Sequence, residues 1–278
     1  MSVPLRVTRS ALPSAKPADR WSADPYTRAL RTGRGPLFLQ RADGLLLPLD
    51  VERWCARADA ADRTVLARCR GSVLDIGCGP GRLVAALAEL GRPALGIDVS
   101  AEAVRRARRS GGTALVRSVF EPLPGEGRWR TALLIDGNVG IGGDPAALLL
   151  RIAGIVRPAG SLIVETAPAA ADEDLDERVR VRLGDGGGAG AGAGAQGEAF
   201  PWCRVGPRAL TRHAAGAGWT PTGTWTALGR RFVALRLARA GPWRAASPGG
   251  GRGMRSRSRT AGGAPDGAGR GGCGPDAD

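Results

Sequence analysis

The stretch Val73-Leu74-Asp75-Ile76-Gly77-Cys78-Gly79-Pro80-Gly81 constrains this chain more than any other part of it. Residues 72–76 are a short apolar run that predicts a strand, and residues 82–90 put Leu83, Leu87 and Leu90 on one helical face. Between them, Gly77, Gly79 and Gly81 let the backbone turn sharply and approach a ligand where a Cβ would clash. Strand, glycine turn and helix in that order open a ligand-binding α/β unit.

The alternation continues downstream. Residues 94–99 predict a second strand, and Ser100 caps a helix whose Val104 and Ala107 face inward. Residues 114–120 and 131–136 predict two more strands. Asp144-Pro145 then starts a helix striped by Leu148, Leu149, Ile152 and Val156. Residues 158–160 stop that helix, and residues 161–166 predict a fifth strand. Such a series specifies an α/β fold with a mostly parallel sheet and helices on both faces. Right-handed crossovers place every strand C-terminus at one edge, where ligands bind.

The flanks are less regular. Residues 1–20 are polar and proline-interrupted, and are expected to be disordered. Residues 21–69 are expected to form an N-terminal cap, with a short helix after Asp24-Pro25, a hairpin through residues 38–47, and a helical pattern over 50–70. Residues 70–239 read as the main domain, with a ribbon inserted at 170–205 around a Gly/Ala-rich loop. Within that domain, residues 207–217 predict a helix, and residues 219–225 and 232–237 a closing hairpin. Residues 240–278 are Gly, Arg, Pro and Ser with few large apolar side chains, again expected to be disordered.

The formal charge of +14 suggests nucleic acid until its location is considered. Residues 1–34 carry a net +5 and residues 240–278 a net +3, so the ends supply 8 of the 14 charges. Lys16 is the only lysine, and with the Ala and Gly excess the arginines read as codon bias rather than as a functional signal. The five cysteines show neither disulfide nor zinc spacing, no metal cluster is visible, and no apolar run reaches the roughly 18 residues of a membrane span. A cytoplasmic location without membrane attachment is the expectation, with the oligomeric state left open.

The chemistry of the turn lies in its acids. A dinucleotide fingerprint needs a sixth-position glycine where Arg82 stands. Asp75 would repel a pyrophosphate but attract an ammonium group, and Asp98, ending the second strand, is placed to accept both hydroxyls of a ribose. A nucleoside bearing a cationic amino-acid moiety satisfies both. Asp98 alone would also suit a nicotinamide cofactor, the competing reading of the turn.

Residues 73–81 together with Leu95-Gly96-Ile97-Asp98-Val99-Ser100 resemble the first two motifs of class I S-adenosylmethionine-dependent methyltransferases. Residues 157–163 resemble that family's turn into its fifth strand, with Ala159 where glycine is usual. The resemblance covers residues 70–166 and implies a Rossmann-like seven-stranded sheet whose last strand is antiparallel. It implies S-adenosyl-L-methionine as cofactor, with Asp75, Gly77, Cys78, Gly79 and Gly81 at the methionine moiety and Asp98 and Val99 at the ribose. Ser118, Val119 and Phe120 would flank the adenine, Ser118 standing where the family often has an acid.

By the same resemblance, Asp136 and Asn138 lie where substrate-facing side chains are common, and either could orient the acceptor or take its proton. The alternative for Asp136 is that it only completes the cofactor pocket. Residues 139–143 read as a very flexible loop. His213, the only histidine, reads as a surface or helix-end residue, and Cys203 lacks the context of a nucleophile. Tyr26, Phe38, Phe200 and Trp202 are the aromatics available to cover the acceptor, which favours a small molecule methylated at O, N or C. An RNA acceptor is second choice, and a cofactor-binding protein without activity is the third reading.

Overall fold

The computed structural model describes residues 24–168, 174–186 and 198–238. The expected disordered ends, residues 1–20 and 240–278, and most of the Gly/Ala-rich loop lie outside the described residues. Helix α1 (Asp24–Thr32) leads into strands β1 (Phe38–Arg41) and β2 (Leu46–Pro48), then helices α2 (Val51–Cys55) and α3 (Ala60–Arg68). Next come β3 (Val73–Ile76), α4 (Arg82–Glu89), β4 (Ala94–Asp98), α5 (Ala101–Arg109), β5 (Ala114–Val116) and β6 (Trp129–Leu134). A short 3₁₀ segment (Asn138–Gly143), α6 (Pro145–Ile155) and β7 (Val156–Thr166) follow. The chain closes with β8 (Asp176–Gly184), β9 (Phe200–Val205), α7 (Pro207–Gly216), β10 (Trp219–Ala227) and β11 (Arg230–Leu237).

Seven strands form one sheet in the order β10-β11-β7-β6-β3-β4-β5. The run from β7 to β5 is parallel, and only β11 runs antiparallel to its neighbours. This is the expected Rossmann-like sheet with its last strand reversed. Alternate residues of the strands feed two cores. Leu74, Ile97, Leu134 and Val164 pack toward α6 and α7 through Leu148, Ile152 and Leu210. Val73, Leu133 and Ile163 pack toward α3 and α4 through Val65, Leu83 and Leu87. Burial on both faces is why these strands read as apolar runs rather than alternating ones.

A second sheet, ordered β2-β1-β8-β9 and antiparallel throughout, joins the cap hairpin to the inserted ribbon. Leu39 pairs with Leu183 across β1 and β8, and Tyr26, Leu30, Leu37, Phe200 and Trp202 complete its core. Cap and insertion therefore share one structure where the sequence suggested two.

Three local expectations change. The pattern over 50–70 breaks into α2 and α3, because Asp59 and Asp62 exchange side-chain to backbone hydrogen bonds as a capping box. Strand β5 stops at Val116; the Glu121 carboxylate accepts from the Ser118 N–H at 2.8 Å and bends residues 118–121 into a turn. Residues 139–143 are packed rather than loose. Val139 and Gly140 are buried, and a Cβ on Gly140 would strike Trp202.

Candidate active site

The glycine turn sits between the C-terminus of β3 and the start of α4. Its three glycines all adopt positive φ (71°, 54° and 89°), but for different reasons. A Cβ on Gly77 would lie 2.6 Å from Asn138 Nδ2, and one on Gly81 would strike Ala107 of α5. Those two positions are fixed by packing. A Cβ on Gly79 would meet nothing nearer than the Tyr26 hydroxyl at 3.7 Å, so Gly79 faces the space in which a ligand could lie.

Two carboxylates belong to this part of the fold, Asp98 in contact with Gly79 and Asp75 just before the turn. Asp98 accepts from the Gly79 N–H at 2.9 Å and from the Ser100 N–H at 2.8 Å, which ties the second motif to the first. Burial pushes its pKa up to about 6, with those backbone donors pulling the other way. Asp75 is buried, and its Oδ2 has no hydrogen-bond partner. Burial raises Asp75 to about 7; Arg82 opposes this, while Asp136, Asp62 and Asp98 add to it. A buried, unpaired acceptor is what a cationic ligand group would complete, and the open glycine backbone follows it in the chain. The residues therefore fit an S-adenosylmethionine-like ligand. Cys78 lies against Gly96, and burial, with Asp98 and Asp75 nearby, raises its thiol well above the ordinary range.

The remaining expected cofactor residues lie at the ends of β4 and β5. Val99 is half-buried and Ser118 and Val119 are buried, while Phe120 is 43 % exposed beside Gly142. The Arg117 N–H donates to the Asp98 carbonyl at 2.9 Å, holding the two strand ends together. The Ser118 hydroxyl accepts from the Phe120 N–H at 3.3 Å, and the Val119 carbonyl accepts from Arg151 at 2.9 Å.

Asp136 and Asn138 are engaged with the protein itself. Asp136 (φ 59°) accepts from Arg53 Nη1 and Arg82 Nη1, both at 2.6 Å, and its N–H donates to Glu165. Burial would raise its pKa, but Arg82, Arg53 and Arg230 hold it below the ordinary carboxylate range. The Asn138 amide donates to the carbonyls of Ile76 and Gly77 at 3.0 and 2.9 Å, clamping the glycine turn from behind.

Sequence reasoning missed the arginines. Arg82 forks onto Asp62 at 2.8 and 3.0 Å, and Arg230 reaches Asp62 at 2.9 Å and Glu165 at 2.7 and 2.9 Å. Codon bias hid them, since one buried arginine looks like any other in such a composition. The Asp59/Asp62 spacing was the only local signal available.

A family model described as a methyltransferase domain matches residues 51–221, which is more than half of the chain. The chain belongs to this methyltransferase family. It is thus of the expected S-adenosylmethionine-dependent class, and an enzyme by that membership. It is similar to the crystal structure of an S-adenosylmethionine-dependent methyltransferase from Bacteroides fragilis in complex with S-adenosyl-L-homocysteine. The two share 21 % identity over 80 % of this chain and 97 % of that one, with a TM-score of 0.63. The 1,6-didemethyltoxoflavin-N1-methyltransferase of Burkholderia thailandensis also shares 21 % identity, over 67 % of this chain and 79 % of that one, with a TM-score of 0.46. No curated protein matches the sequence.

Two other candidates of the methyltransferase stand apart from the turn. His213, in the last turn of α7, pairs with Asp176 at 2.9 Å. The Cys203 thiol donates to the Val139 carbonyl at 3.2 Å, and burial raises its pKa to about 12. A thiol that far from ionisation is no nucleophile at neutral pH.

Proposed function

We propose that this methyltransferase transfers a methyl group from S-adenosyl-L-methionine to a small-molecule acceptor at O, N or C. The observation that carries the cofactor assignment is the unpaired, buried Asp75 Oδ2 at the entry to a turn whose Gly79 is open. Asp75 would hold the α-ammonium group, the backbone of residues 77–81 with Cys78 the methionine moiety, and Asp98 with Val99 the ribose. Ser118, Val119 and Phe120 would border the adenine. The bound sulfonium supplies an already activated methyl group, so positioning can provide much of the rate, on the order of 7–11 kcal/mol in favourable cases.

Asp136 and Asn138 act in this reading as positioning residues. Asp136 is held ionised among guanidinium groups, and Asn138 fixes the turn that cradles the donor. A proton to be removed from the acceptor would go to another group or to solvent.

The cap and ribbon support a small acceptor, because α1 and the second sheet share a core through Tyr26, Phe200 and Trp202. That arrangement suits an enclosed ligand better than a duplex. An RNA acceptor keeps one observation in its favour: Arg178, Arg180 and Arg182 project to solvent from alternate positions of β8. None of the helices among the described residues is long and apolar enough to cross a membrane, and a cytoplasmic location fits the four described cysteines, all of them unpaired.

Calorimetric titration with S-adenosylhomocysteine tests the cofactor, with NAD and the Asp98→Ala variant as controls. Binding of the homocysteine form that the variant weakens supports the assignment; binding of NAD instead overturns it. Transfer of labelled methyl into the small-molecule rather than the RNA fraction of a cell extract tests the acceptor. Tight cofactor binding with no transfer into either fraction would leave a binding protein without activity.

A further inference from the structure

Two buried side-chain polar atoms among the described residues have no hydrogen-bond partner: Asp75 Oδ2 and Trp54 Nε1. Their chemistry is opposite, since a carboxylate oxygen accepts and an indole N–H only donates. Buried polar groups in folded proteins are rarely left unpaired, and each exception calls for an explanation.

Trp54 belongs to α2, outside every cofactor motif, yet the fold brings it to the glycine turn. Its ring meets Tyr26 edge-on, with centroids 6.4 Å apart and planes at 73°. The Tyr26 hydroxyl is in turn the nearest group to the open side of Gly79. Trp54 also touches the turn from outside: with Pro80 and Arg82 it lines a groove of about 420 Å³ that continues along α4 to Glu89 and Leu90, beyond the residues expected at the cofactor.

We propose that Trp54 positions the methyl donor, its indole N–H donating to the α-carboxylate of the methionine moiety while Asp75 takes the α-ammonium. The inference rests on the turn being the cofactor site. An α-amino acid carries both groups on one carbon, so the protein's two unmatched atoms meet the two ends of one zwitterion. Arg82 is already committed to Asp62 and Asp136 and is not available to hold the anionic end. Trp54 thereby makes the cap sense whether the ligand carries its amino-acid moiety complete.

The test is calorimetry on the full chain with two ligands, S-adenosylhomocysteine and its decarboxylated analogue, which keeps the amine. Trp54→Phe keeps an aromatic ring and removes the N–H. Losing a hydrogen bond to a charged group should weaken S-adenosylhomocysteine by about tenfold or more, while the analogue binds both proteins alike. Equal weakening of the two ligands, or none, overturns the role of Trp54. The wild-type protein gives an independent check that needs no variant: it must bind the analogue at least about tenfold more weakly than S-adenosylhomocysteine, and equal affinity overturns the proposal. Failure of the wild type to bind S-adenosylhomocysteine at all overturns the cofactor reading beneath it, an outcome distinct from normal binding that Trp54→Phe leaves intact.

Discussion

Asp62 and Asp136 on one side, and Asp75 and Asp98 on the other, are four buried or nearly buried carboxylates around the same glycine turn, with opposite surroundings. Asp62 and Asp136 sit among Arg53, Arg82 and Arg230. For Asp62, burial opposes ionisation but Arg82 and Arg230 overcome it and bring the group to about 2. Asp75 and Asp98 face no direct guanidinium contact among the described ion pairs, and burial lifts them to about 7 and 6. The first pair is complete within the protein. In the second, Asp98 takes the backbone donors of Gly79 and Ser100, and Asp75 Oδ2 has no hydrogen-bond partner among the described residues. That contrast separates scaffold from candidate binding site where burial alone would not.

The signs of linkage differ accordingly. A carboxylate with a lowered folded-state pKa contributes stability that is present above its unfolded value and lost as pH falls through about 4 toward 2. A raised value works in reverse: the folded state holds extra protons between about 4 and 7, so the ligand-free protein loses stability as pH rises through that window.

The largest expected effect breaks the scaffold side. Arg82→Ala would leave Asp62 and Asp136 buried with much of their charge uncompensated, a change that typically destabilises by about 3–5 kcal/mol. Denaturant unfolding at pH 7 measures it, and a loss under about 1 kcal/mol would show the network to be incidental. Next comes the ligand side. Asp98→Ala should weaken S-adenosylhomocysteine by at least about tenfold, because a charge-assisted hydrogen bond contributes about 1.5–3 kcal/mol. It also strips the Gly79 and Ser100 N–H groups of their acceptor, so the unfolding midpoint should fall as well, by less than for Arg82→Ala.

These two regions were not equally legible in the sequence. The candidate ligand side could be proposed from sequence because its residues are local: Asp75 through Gly81 form one turn, and Asp98 follows one strand later. The parallel sheet was legible for the same reason, strand and helix alternating at short range. What escaped depends on contacts far apart in the chain. Arg230 meets Asp62 across 168 positions, and β1 finds β8 across a gap that no periodicity reveals. Residues 139–143 looked mobile because glycines dominate them, whereas those glycines admit Trp202 and Phe120 at close range. Gly81, expected at the ligand, is also required by the close approach of Ala107, which no local pattern shows.

A pH series sharpens the contrast at intermediate size. If Asp75 and Asp98 both bind the donor as carboxylates, S-adenosylhomocysteine affinity should rise roughly 100-fold between pH 5.5 and 7.5 as both lose protons. The ligand's α-amino group stays largely protonated over that range, so the dependence belongs to the protein. A flat profile would mean that neither carboxylate is titrating in the empty site, and the division between paired and waiting acids would collapse.

The smallest effect has the most telling sign. Asp75→Asn removes a group whose ionised form is unpaired in the ligand-free protein, so at pH 8 the variant should be more stable than the wild type. The amide still leaves a polar group without a full set of partners, which limits the gain to about 1 kcal/mol, or a few degrees in Tm. At pH 4 the wild-type carboxyl is already protonated and the gain should vanish. The same substitution should weaken S-adenosylhomocysteine binding, so stability and affinity move in opposite directions. Asp62→Asn offers the mirror image, losing stability at pH 8 because two guanidinium groups lose their anion. If Asp75→Asn also destabilised at pH 8, Asp75 would belong with the scaffold acids, and the ammonium site would have to be sought elsewhere on the turn.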